Sequence, residues 1–359
     1  MKRCRMGVAL LALAMTPACS LFGGQRAASV ESACLDEAAV AAYARARQAL
    51  AAGDDAGALP DLELCCRKCP ELVRAHVDYQ DCAKRLGGVS AQAMAAFYQG
   101  PTASRSPVRA YLQARLAETA YAQSSALDVI LRADPKFGWA HLSRARVNRG
   151  QGRLLAALDM YALAIANDAT LFEAAVERAM VLADLGRYEE AAVGFKAYLA
   201  GRPDDIAAAR EYVGLLLYRL GRIDEAFVWL DRLQQALPND PLVRMDRAAA
   251  LWRANRAREA VDTYLGILAE QPNMARAAWN VGLLYFEVVP QDDAQRRLFW
   301  PHARAAFEYF MQHSQPVDGD EQFERTLGVP YRLERIAGLL GASSGQPVDL
   351  AALRWPRAP

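Results

Sequence analysis

The seven cysteines all fall within the first 82 residues of a 359-residue chain, and their thiols are the side chains here with the widest choice of chemistry. Cys66, Cys69, His76 and Cys82 are ligand types for zinc, but the C-x2-C-x6-H-x5-C spacing fits neither a knuckle nor a ribbon. Two other outcomes are open to Cys34, Cys65, Cys66, Cys69 and Cys82: disulfides, which an exported protein favours, and unbonded thiols in a core. The five are odd in number, so one at least stays unpaired, and Cys65 suits a small buried position. Other reactive groups are sparse. His76, His141, His302 and His313 are scattered. Glu189 and Glu190 open a helix, where carboxylates favour its dipole. G-x-S-x-G, H-E-x-x-H, G-x-x-x-x-G-K and G-x-G-x-x-G are all missing from the sequence, so no enzyme, cofactor or metal is expected.

Composition narrows the partners. The chain is 53% hydrophobic with 42 basic against 41 acidic residues, enough for one large or two ordinary domains and far from the charge of a polyanion binder. Without residues 1–18, which carry Lys2, Arg3 and Arg5 but no acid, 39 basic face 41 acidic residues. Only five of the basic residues are lysines; the excess of arginine reflects codon usage and no nucleic-acid partner is expected.

Lys2, Arg3 and Arg5 precede a short apolar run from Gly7 to Met15, then Thr16-Pro17-Ala18-Cys19, the layout of a signal peptide over 1–18. The run is about half the roughly 20 residues that a membrane-spanning helix needs. Cys19 after a small residue resembles the lipobox of bacterial lipoproteins, with Thr16 and Pro17 as departures. The resemblance implies a lipidated Cys19 at the mature N-terminus, 19–31 as a tether, and a place in the bacterial envelope, on the outer membrane facing the periplasm.

Internal repetition fixes the elements that follow. Blocks 138–171, 172–205, 207–240 and 241–274 each hold 34 residues. Numbered from 1 within each block, position 8 is Ala145, Ala179, Gly214 and Ala248; position 20 is Ala157, Ala191, Ala226 and Ala260. Position 15 is Gly152, Gly186, Gly221 and Asn255, position 24 is Tyr161, Phe195, Leu230 and Tyr264, and position 32 is Ala169, Pro203, Pro238 and Pro272. Small residues let two antiparallel helices approach, the larger residue at 24 fills between them, and position 15 turns the chain. The pattern resembles the tetratricopeptide repeat (TPR), which implies an all-α superhelical solenoid of helix-turn-helix units.

The register extends outward. Residues 39–72 fit it with Ala46, Gly53, Ala58, Leu62 and Pro70, 73–137 hold two looser units, and a fifth repeat over 275–316 carries an insertion at 288–301. Residues 32–137 form the cysteine-containing N-terminal part, and 317–359 read as capping helices and a tail. In the first repeat an antiparallel pair brings Cys34 to the Cys66/Cys69 end, and Cys82 on the next helix faces the same segment, so Cys34 with Cys69 or Cys66, and Cys82 with Cys66 or Cys65, are the expected pairs.

In TPR proteins positions 2, 5, 9, 12 and 13 line a concave groove that holds a peptide or a partner's helix. The resemblance assigns that role to Trp139, Leu142, Arg146 and Arg149; Glu173, Val176, Met180 and Asp184; Glu211, Leu215, Tyr218 and Arg219; Leu242, Met245 and Arg253; and Arg276, Trp279, Leu283, Phe286 and Glu287. Arginine and aromatic residues dominate interface hot spots, and methionine adapts to its partner. The Lys and Asn pattern of chaperone-binding TPR proteins is missing. The sequence therefore implies a membrane-tethered scaffold that binds envelope proteins and assists assembly of an envelope complex, with an accessory subunit recruiting an enzyme such as a peptidoglycan hydrolase as the alternative.

Overall fold

The computed structural model describes residues 34, 36–87, 98, 107–314, 328–341 and 348–356. Residues 1–18, Cys19 and the 19–31 tether lie outside them. Among the described residues there are helices and turns but no strand, and no helix is long and apolar enough to cross a membrane.

The helices follow the 34-residue register. After α1 (Glu37–Ala51), α2 (Asp55–Lys68), α3 (Val73–Leu86), α4 (Pro107–Ala114) and α5 (Ala120–Ala133) come the regular pairs α6 (Gly138–Gly150) with α7 (Leu154–Asn167), and α8 (Phe172–Asp184) with α9 (Tyr188–Gly201). Then α10 (Ile206–Leu215) leads to α11 (Ile223–Ala236), α12 (Pro241–Arg253) to α13 (Ala257–Glu270), and α14 (Ala275–Leu283) to α15 (Asp293–His313). Local chemistry sets the ends. Asp36, Asp54, Thr119, Asp205, Asp240 and Asp292 each cap a helix by accepting from backbone N–H groups in its first turn. At position 15 the chain reverses through the left-handed region: Gly152, Gly186 and Gly221 have φ of 72°, 75° and 65°, and Asn255, at 60°, is the one non-glycine residue to do so among those described.

The chain divides into two compact units, Met1–Val181 and Leu182–Pro359. In the first, Ala46, Ala58, Leu62, Ala145, Ala157 and Tyr161 are fully buried, so positions 8, 20 and 24 build the contact between paired helices. In the second, Ala191, Ala226, Leu230, Ala248 and Ala260 do the same, and an aromatic core of Tyr264, Tyr285, Phe299, Trp300, Phe307 and Phe310 closes the far end.

Two departures from the register matter. α10 and α14 each finish in a π turn, Leu216–Leu220 and Leu284–Val288. The residues read as an insertion become, beyond residue 292, the opening turns of α15, which runs unbroken through Pro301 for 21 residues. The segment read as a tail is docked where it is described. Leu353, in a short 3-10 turn (Leu350–Leu353), is fully buried; its carbonyl accepts from the Tyr285 hydroxyl at 3.0 Å, and Trp355 lies edge-on to Phe299. The last helix, α16 (Val329–Leu340), buries Val329 and Ile336 in the same core.

Candidate protein-binding cleft

Among the described residues the cysteines form one bridge. Cys34, just before α1, is bonded to Cys69, the residue that ends α2, with their Cα atoms 5.3 Å apart. The antiparallel pairing of α1 and α2 brings them together, one of the two partners expected for Cys34. The second expected pair is not formed: Cys65, Cys66 and Cys82 are buried, unbonded thiols, and the Cys82 sulfur donates to the Asp55 carbonyl at 3.0 Å. Burial pushes Cys65 up to about 11 and raises Cys66 and Cys82 as well, which leaves all three protonated and weakly nucleophilic. Among the described residues no group of three or more His, Cys, Asp and Glu side chains is gathered as a metal site.

In the first unit the expected groove positions are occupied by the chain itself. Trp139 is buried, and the Arg74 guanidinium of α3 lies 4.7 Å above its ring. The same guanidinium donates to both carboxylate oxygens of Glu173, at 2.5 and 3.0 Å. Arg146 donates to both oxygens of Glu177, which also accepts from the Tyr161 hydroxyl at 2.9 Å. Arg149 reaches the Met180 sulfur at 3.9 Å. Leu142 and Val176 are buried. Trp139 is thus a covered residue and not an open anchor. Its cover, Arg74 of α3, is held in turn by Glu173, 99 residues away in sequence, beyond the reach of any local pattern.

The second unit differs. Tyr218, Met245, Arg253, Arg276 and Trp279, all assigned to the groove, converge on a cleft of about 1040 Å³ between α10, α12 and α14, together with Leu242 and Leu283. Trp252 and Met274 extend its apolar lining, and Arg210, Asp246, Asn273, Asn280, His313 and Ser314 supply polar groups. Tyr218 and Leu242 are 50% and 46% exposed, large apolar surfaces open to a partner. The charge is asymmetric: three arginines face one aspartate, and Asp246 is itself 3.5 Å from Arg210. Burial raises the Asp246 carboxyl, with Arg210 acting against it. Arg253 lies 4.9 Å over the Tyr218 ring.

Other expected residues fall elsewhere. Arg219 lies over Tyr188 at 5.5 Å and Glu211 is exposed, but neither lines the cleft. Phe286 is core: it stacks on Trp300 with centroids 5.0 Å apart, and Arg335 of α16 covers it. Glu287 pairs with Arg332 at 3.2 Å.

The deciding observation is the coincidence of register and structure. The same numbered positions are small at 8, small and buried at 20, large and buried at 24, and left-handed at 15, in successive helix pairs. The fold is an all-α solenoid of tetratricopeptide-type repeats. No family model matches the sequence. A TPR repeat-containing thioredoxin of Arabidopsis thaliana is 35% identical over 85 residues, which are 24% of this chain and 12% of that protein's length. The C-terminal part of a TPR repeat-containing protein from Cytophaga hutchinsonii is similar in structure at 13% identity, with a TM-score of 0.47 over 70% of this chain and 95% of that one. YrrB, described as a TPR protein with an unusual peptide-binding site, is 18% identical with a TM-score of 0.42, covering 57% of this chain and all of its own.

The TPR numbering also explains what sequence reasoning missed. Trp252 stands at position 12, as Tyr218 does in the preceding repeat, and that equivalence was the available signal. Asp246 and Asn280 share position 6, outside the five groove positions, and Arg210 is at position 4. His313 and Ser314 come from the end of α15, which the insertion lengthens.

Proposed function

We propose that this TPR protein is a non-enzymatic scaffold that binds an extended segment of another protein through the cleft of its second unit. The observation that carries this reading is the convergence of Tyr218, Met245, Arg253, Arg276 and Trp279 on one open cleft. Its volume is at the upper end of ligand pockets, which suits several residues of a polypeptide better than a small molecule. Stacked repeats offer such a surface because each unit must bury its faces against neighbours while its first helix stays open.

The address is the second part of the proposal. The Cys34–Cys69 bridge suits an oxidising compartment, in keeping with the signal-peptide layout of 1–18. A lipid on Cys19 would then tether the scaffold to an envelope membrane, where it assists assembly of an envelope complex. Cys19→Ser should abolish incorporation of labelled lipid and release the protein from membranes; unchanged partition would remove the anchor. For the cleft, photo-crosslinking residues are placed at Leu242 inside it and at Tyr121 and Val193 outside it. Partner adducts at 242 with none at the other two are expected, and adducts at 121 or 193 alone would overturn the assignment.

A further inference from the structure

In the second unit the second helix of each regular pair begins with the same ion pair. Position 16 is arginine and position 19 glutamate: Arg187 with Glu190 at 2.6 Å, Arg222 with Glu225 at 3.7 Å and Arg256 with Glu259 at 2.6 Å. One turn apart on a solvated helix, such a pair is ordinary surface chemistry. The fifth repeat breaks the pattern. With the fully buried Ala303 at position 20, positions 16 and 19 are Phe299 and His302. Position 11, leucine in the three preceding repeats (Leu182, Leu217 and Leu251), is Tyr285. Two aromatic rings, an imidazole and a hydroxyl thus stand where the other repeats carry a hydrated ion pair and an alkyl side chain. None of the three lines the cleft.

Residues 348–356 lie on that surface, against α13 and α15. Their contacts are those of a bound peptide. The Tyr285 hydroxyl donates to the Leu353 carbonyl at 3.0 Å, and His302 Nδ1 is 2.8 Å from the Ala352 carbonyl, an atom that can only accept. The Leu353 side chain is fully buried, and the Trp355 ring lies 5.7 Å from that of Tyr285 and 5.3 Å from that of Phe299. Asp349 accepts from the Ala351 N–H at 3.1 Å and starts the short turn that presents both carbonyls. Around the one buried anchor, Asp349, Ala351, Ala352 and Arg354 stay exposed, and Val348, Leu350 and Trp355 are half-buried. Closing the array is already the work of α16, which buries Val329 and Ile336 and lays Arg332 and Arg335 over Phe307 and Phe286. Main-chain carbonyls held by side chains, with one apolar anchor and one ring beside it, select a short pattern whether or not the segment belongs to the same chain.

We propose that this surface is a second docking site, separate from the cleft, and that residues 348–356 occupy it in place of a partner segment of the same kind. The partner offers a leucine and, two residues on, an aromatic ring. Tyr285 and His302 hold its backbone, and Phe299 receives its ring. An occupant joined to α16 through residues 342–347 competes at an effective concentration on the order of millimolar, so a partner enters by bringing further contacts or a high local concentration.

The test titrates a fluorescein-labelled peptide of residues 348–356 into the full chain, read by anisotropy, and into the full chain carrying Leu353→Ser and Trp355→Ala. The doubly substituted chain should bind the peptide at least about tenfold more tightly than the wild type, whose own segment competes. Adding Tyr285→Phe or His302→Ala to that chain should weaken binding about fivefold each, the loss of one hydrogen bond. Peptide that itself carries the Leu353→Ser and Trp355→Ala changes should bind neither protein. Should the doubly substituted chain unfold, a wild-type chain with a protease site between Ser344 and Gly345 replaces it: after cleavage the released segment should exchange for labelled peptide with circular dichroism unchanged. No binding by a folded variant, or a cleaved segment that leaves only as helicity is lost, would overturn the docking site and make the segment a piece of core. Binding that Tyr285→Phe and His302→Ala leave unchanged would place the peptide elsewhere and overturn the assignment. Wild-type dimers that form with rising concentration and are lost in the doubly substituted chain would give the surface to a second copy and overturn the partner reading.

Discussion

His76 is 3% exposed, with its Nδ1 3.3 Å from the Tyr98 hydroxyl, and burial lowers its pKa from 6.5 to about 4. In the unfolded chain the same imidazole takes a proton near its ordinary value, so the unfolded state binds more protons between the two pKa values. The stability tied to the neutral ring is therefore fully present above about pH 6.5 and falls as pH drops toward 4, by roughly 3 kcal/mol. Asp78, whose buried carboxyl is raised and accepts from the Tyr43 hydroxyl, acts in the opposite sense. Comparison with a His76→Gln variant isolates the histidine: urea unfolding between pH 7 and 4.5 should show the wild type losing more stability than the variant. Equal losses would mean the ring is protonated in the native state. The cysteines give a second expectation. The bridge spans a sequence separation of 35, worth about 3–4 kcal/mol in the chain-entropy model. A Cys19→Ser protein lacking residues 1–18 should show no reactive thiol when native and three, from Cys65, Cys66 and Cys82, when unfolded without reductant. Five would remove the disulfide.

At the scale of the helix pair, position 8 makes opposite demands in two repeats. A Cβ on Gly282 would fall 2.5 and 2.6 Å from the Cε1 and Cδ1 atoms of Phe307, a fully buried ring set edge-on against Phe286. A Cβ on Gly214 would meet nothing within 4 Å. Alanine in a helix ordinarily gains up to about 1 kcal/mol over glycine. Gly214→Ala should therefore raise the melting temperature, whereas Gly282→Ala should lower it, by overpacking worth roughly 1–3 kcal/mol. Two shifts of the same sign would contradict the packing of α14 on α15. This contrast bounds what the sequence makes legible. Turns at position 15 and small residues at 8 and 20 are set within one repeat, so spacing finds them. Trp139 and Phe286 stand at groove positions by spacing yet are covered, and what covers them is distant: Arg74 and Arg335 belong to helices on other repeats or the cap. Trp252 is legible from position 12, whereas His313 and Ser314 reach the cleft through the length of α15, which no 34-residue template specifies.

For the whole molecule, repeat architecture predicts that damage stays local, because each unit's stability is a sum of its own terms and those of its neighbours. The two most condition-dependent features, the neutral His76 and the Cys34–Cys69 bridge, both belong to Met1–Val181. The second unit contains neither; it is held by the aromatic core around Tyr285, Phe299, Trp300 and Phe307 and by the docked Leu353. Of the six tryptophans only Trp139 lies in the first unit, and Trp229, Trp252, Trp279, Trp300 and Trp355 lie in the second. Indole emission therefore reports mainly on the second unit, while far-ultraviolet circular dichroism reports on the helices of both. At pH 7 without reductant the two probes should follow similar urea curves. At pH 4.5 with reductant, the first unit loses both supports, and ellipticity should fall at lower urea than emission does, the mark of unfolding that is not two-state. Trp139→Phe should leave the emission curve almost unchanged and sharpen the separation. Coincident curves under the acidic, reducing condition would mean that the units unfold as one, and the locality expected of this array would be wrong.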